Sequence, residues 1–173
     1  MTEPLLHDGL QAVSLMFCHP DAKWSSTPLG DRLPAAARTV IVTMRAERAV
    51  VLEGEYIRLF VNSMPEVPCA PYGSVYLEGT VMGESTLKVA QVYRQYGLVT
   101  SELADHIAVE AEFLAWLHGR IDGSHLAAEN FTFLLDHLRS WTSGFFAAVE
   151  HHDRLGCYRQ AARAARTILA GID

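Results

Sequence analysis

The chain has 173 residues, half of them hydrophobic, which suits one domain with a buried core and excludes an intrinsically disordered chain. Twenty acidic residues against fourteen basic ones leave −6 at pH 7, a balance that argues against nucleic acid or an anionic membrane as partner. All of that charge falls between Glu47 and Glu112, where ten acidic residues meet four basic ones. Such a stretch is either a solvated acidic face or a docking surface for something cationic.

In chain order, Leu6, Leu10, Val13 and Phe17 form a helical stripe that Pro20 ends. Pro28, Gly30 and Pro34 then mark residues 20–34 as an irregular loop. Ala35 to about Asn62 reads as helix with a break expected at Gly54, and Val40-Ile41-Val42 is assigned to it because no partner strand is evident. Residues 63–83 read as a second irregular loop, because Pro65, Pro68 and Pro71 disfavour regular helix. Ser85 is expected to cap a helix through Val89, Val92 and Tyr93, with Gly97 just past its end. A helix from about Leu103 to His118 follows, then one from Ala127 to Arg139 and shorter ones over 143–152 and 154–170. The expectation is an all-α, single-domain bundle spanning residues 1–173, with about six to ten helices and no sheet.

Cys18, Cys69 and Cys157 are far apart and form no CxxC pair, so they read as reduced thiols of a cytoplasmic protein. The first residues lack the basic start and apolar run of a secretory signal, and no stretch is apolar enough to span a membrane. Eight histidines show no metal-ligand spacing, and no phosphate-cradling or esterase motif occurs. Catalytic residues and bound metals are therefore not expected.

Two places carry chemistry. The helix from Leu103 is apolar nearly all round, so its carboxylates need partners, and His106 and Glu110 stand four residues apart. That spacing makes either a satisfied core pair or, in a small helical enzyme, an acid–base pair. Asp105 and His106 in its first turn could instead line a cleft. The second place is the loop with Tyr72, Ser74, Val75, Tyr76 and Leu77, too apolar for an ordinary surface loop. It either packs down or presents a groove.

The segments EYIRLFVNSMPEVPCAPYGSVYLEG, MGESTLKVAQVYRQYGL, DHIAVEAEFLAWL and FLLDHLRSWTSGFFAAVE, from Glu55 to about Tyr158, resemble the TorD/DmsD/NarJ family of molybdoenzyme chaperones. The resemblance implies a cytoplasmic, non-catalytic protein that binds the twin-arginine signal peptide of a molybdoenzyme catalytic subunit precursor. It would delay export and assist insertion of the molybdopterin cofactor, which the client rather than the chaperone carries. It places client binding at Tyr72, Ser74, Val75, Tyr76 and Leu77 and at the Asp105–His106 pair, with Glu110 and Glu112 on the helix that follows. Glu78, Glu84 and Glu102 are further candidates to meet the peptide's arginines. A nitrate-reductase-type client without a twin-arginine signal is the alternative. Guanine nucleotide has no supporting motif here. A monomer is expected, with a domain-swapped dimer hinged near residues 97–103 as the alternative. Ala104 stands where the family often has proline, and Cys157 where it has phenylalanine.

Overall fold

The computed structural model describes residues 3–30 and 32–172. Among these, nine α-helices occur and no strand: α1 Glu3–Phe17, α2 Ala22–Ser26, α3 Ala35–Ala46, α4 Ala49–Tyr56, α5 Gly73–Glu78, α6 Glu84–Gln95, α7 Ile107–His118, α8 His125–His152 and α9 Cys157–Ala170. This is a single-domain all-α fold, as the stripes predict. α7 is its centre, buried on almost every side and packed between α1 and α8. α9 lies against α1, α3 and α8, and α5 lies on α8. Rings tie these layers together: Phe17 meets Phe145 at 5.2 Å, and Phe60 meets Tyr158 at 5.2 Å.

Several boundaries differ from expectation for local reasons. Residues 20–34 contain the short helix α2, because Asp21 accepts the Trp24 N–H at 2.7 Å and the Trp24 indole donates to the Leu15 carbonyl. The break after α3 falls at Glu47–Arg48 rather than at Gly54. Past α4, the chain widens into a π-turn over Ile57–Val61, whose Leu59 carbonyl is taken by the Cys69 N–H. Helix α5 forms inside the Pro-rich segment, just beyond Pro71, so Ser74, Val75, Tyr76 and Leu77 are helical residues rather than loop residues. The stripes over 127–139 and 143–152 belong to one 28-residue helix, α8. Gly144 lies inside it, where a Cβ would stand 3.2 Å from the Tyr76 ring.

Candidate functional site

Helix α6 begins at Glu84, not after a Ser85 cap. The Glu78 carboxylate reaches over Gly83 and accepts the N–H groups of Glu84 and Ser85 at 2.6 and 2.8 Å. A Cβ at position 83 would overlap that carboxylate, so a larger residue there would displace the cap. At its far end α6 passes into Gly97, as expected.

The two motif regions meet. The Gly73 N–H donates to the Asp105 carbonyl at 3.0 Å, and the Ile107 N–H donates to the Pro71 carbonyl at 2.9 Å. Asp105 is fully buried, and its Oδ2 accepts the Ser74 N–H at 2.8 Å. His106 is not in the first turn of α7 but caps it, its Nδ1 accepting the Ala108 N–H at 3.1 Å. Its ring packs edge-on against Tyr72 at 5.4 Å. Tyr72, half-buried, donates to Glu102 Oε1 at 3.3 Å, and the Leu103 N–H donates to the same oxygen at 2.8 Å. Glu102 is therefore an exposed carboxylate held in one orientation.

The expected His106–Glu110 pair does not form. Glu110 is fully buried and its Oε1 lies 2.7 Å from His137 Nδ1 on α8. The acid–base enzyme reading falls with that pair, because His106 spends its Nδ1 on the helix cap. Gly73 approaches this place so closely that a Cβ would stand 2.8 Å from Trp141 Nε1 and 2.9 Å from the His137 ring. Burial, the largest effect, lifts the Glu110 carboxyl to about 6 against the pull of the His137 hydrogen bond. Burial also acts to lower His137, but the Glu110 contact outweighs it and the imidazole pKa is raised. His106, buried without a close carboxylate contact, is lowered to about 4. His137 and Trp141 have no local sequence signal; only the packing of α8 shows them. Cys69 is no candidate nucleophile, since it is fully buried and burial pushes its thiol up to about 12.

The ten acids of the middle stretch are not one surface. Glu55, Asp105 and Glu110 are buried. Glu55 stays ionised in spite of burial, because Arg58 grips it at 2.6 and 2.8 Å and the Arg154 N–H adds a third bond. Glu84 pairs with Lys88 at 2.9 Å, and Glu78 caps α6. Glu102 and Glu112 remain exposed beside apolar surface. A cleft of about 240 Å³ is lined by Met82, Leu87, Arg94, Leu98, Val99 and Glu102. A second, of about 300 Å³, is lined by Val99, Val109, Phe113, Trp116 and Glu112. Both share Tyr93, Leu98, Val99 and Thr100, so they adjoin across one segment. Val99 is 92% exposed and Met82 63% exposed.

The nine expected site residues thus separate. Ser74, Asp105, His106 and Glu110 are buried together where α5, α7 and α8 meet, with the half-buried Tyr72 over them. Val75 and Tyr76 line a different hollow of about 460 Å³, with Pro65, Pro68, Arg58 and His152. Leu77 is exposed, and Glu112 lies in the second cleft.

Residues 26–147 match the nitrate reductase delta subunit family, a match that begins well before the resemblance visible in the sequence motifs. No curated protein matches. Among solved structures, a crystal structure from Archaeoglobus fulgidus, assigned as a redox enzyme maturation protein, is 31% identical, with 95% of this chain and 93% of that one covered and a TM-score of 0.68. Members of this family assist enzyme maturation and are not catalysts themselves. The chain belongs to the nitrate reductase delta subunit family, the NarJ/TorD-type chaperones of molybdoenzyme maturation.

Proposed function

We propose that this chaperone is cytoplasmic and binds the twin-arginine signal peptide of a molybdoenzyme precursor, delaying export while the molybdopterin cofactor enters the client. The observation that carries this reading is the pair of adjoining apolar clefts flanked by Glu102 and Glu112. A twin-arginine signal has two guanidiniums followed by an apolar stretch, and oriented carboxylates beside an apolar groove fit that chemistry. Met82 supports it further. It sits at a φ of 62°, a left-handed conformation costly for a side-chain-bearing residue, and this turn holds it outward at the cleft.

Calorimetric titration with a synthetic signal peptide tests the reading. Glu102→Gln together with Glu112→Gln should weaken binding by about tenfold or more and flatten its salt dependence. Unchanged affinity in a folded double variant overturns it. The family's name favours a second reading, a nitrate-reductase-type client retained in the cytoplasm. Its peptide would bind without the paired arginines, so equal affinity for an Arg-Arg and an Ala-Ala peptide selects it.

A further inference from the structure

The Asp–His pair stands at the centre of the family resemblance, yet both side chains are buried. Asp105 is fully buried and His106 is 4% exposed. Because it is fully buried, the Asp105 carboxylate is out of reach of a guanidinium from a bound peptide, and its Oδ2 accepts the Ser74 N–H at 2.8 Å. Around it, Ser74 Oγ, Asp105 Oδ1 and His137 Nε2 are buried and meet no hydrogen-bond partner among the described residues.

Their connections run in one direction. Asp105 grips the backbone of Gly73 by its carbonyl and that of Ser74 by its carboxylate. Those two residues directly follow Tyr72, whose ring leans on His106 and whose hydroxyl meets Glu102. Glu110, His137 and Trp141 wall the same spot from α7 and α8, against the bare Cα of Gly73.

We infer that Asp105 is a positioning residue: it fixes the start of α5 so that Tyr72, steadied by His106, holds the Glu102 carboxylate at the mouth of the apolar cleft. This rests on the peptide-binding reading above. Asp105 acts through a hydrogen bond to a backbone amide, so an acceptor oxygen is what the position requires and its negative charge is not. The charge that meets the partner belongs to Glu102.

The conservative variant separates the two roles. Asp105→Asn keeps an acceptor for the Ser74 amide and loses the charge. With a synthetic peptide carrying Arg-Arg before an apolar stretch, Asp105→Asn should bind within about threefold of the native protein with the same salt dependence. Asp105→Ala and Tyr72→Phe should each bind about tenfold more weakly. In parallel, hydrogen exchange at the Ser74 amide should quicken by about tenfold in Asp105→Ala and stay near native in Asp105→Asn. If Asp105→Asn binds as weakly as Asp105→Ala with a flattened salt slope, Asp105 contacts the peptide by charge and the inference is overturned. Unchanged exchange in Asp105→Ala overturns it as well. Should the native protein bind no such peptide, the peptide-binding reading fails and the exchange measurement alone decides whether Asp105 fixes α5. Should Asp105→Ala not fold, Asp105→Asn and Tyr72→Phe carry both measurements.

Discussion

His137 Nδ1 lies 2.7 Å from Glu110 Oε1, joining α8 to the first turn of α7 across 27 positions of sequence. Both groups are raised in pKa, Glu110 to about 6 by burial and His137 by its carboxylate partner, with Asp105 adding to both. A group raised in the folded state binds its proton more tightly there, so its stabilisation is complete at acid pH and fades as pH rises through the folded value.

His106 acts in the opposite sense. Its pKa falls from 6.5 to about 4, so its stabilisation is complete above 6.5 and is lost as pH falls toward 4. Thermal unfolding measured from pH 4 to 8 should therefore show a maximum near pH 6.5, where the His106 contribution is complete and that of His137 begins to fade. The acid limb should flatten in His106→Asn, which keeps an acceptor for the Ala108 amide. The alkaline limb should flatten in His137→Gln. A melting temperature that changes monotonically across this range would contradict the paired assignment.

Gly73 has no room for a side chain. A Cβ there would sit 2.8 Å from Trp141 Nε1 and 2.9 Å from His137, both held in the packed middle of α8. Gly73→Ala should cost about 1–3 kcal/mol of stability by overpacking, read from the midpoint of urea unfolding. Gly54, which meets nothing within 4 Å, is the control, and Gly54→Ala in the interior of α4 should be neutral or stabilising. Equal effects at the two positions would refute the close approach.

Met82 combines a left-handed backbone with a largely exposed side chain. Met82→Gly should stabilise the fold by about 1 kcal/mol, since glycine adopts that conformation without strain. It should also weaken peptide binding, because the cleft loses an apolar wall. A variant that gains stability and keeps full affinity would remove Met82 from the docking surface.

Helical content was legible because it is written in local spacing. The stripes of α1, α6 and α9 each bury one set of apolar residues at helical intervals, α7 is apolar nearly all round, and Gly97 announced the end of α6. The short helices were not legible. α2 depends on Trp24 finding the Leu15 carbonyl, and α5 starts only because Pro71 and Gly73 are pinned to residues 105–107.

An all-helical domain, a net charge gathered in the middle of the chain and the family motifs can all be read from local sequence. Which partners those residues meet comes from the packing of the helices. Periodicity can say that Glu110 faces inward, but the imidazole that answers it comes from α8, and His106 four residues earlier is taken by its own helix cap. Likewise, the spacing of ten carboxylates cannot distinguish the three buried ones from Glu102 and Glu112 at the clefts. The reason is that burial and pairing depend on which helices pack together, and a helix's own periodicity fixes its inward face but not its neighbour.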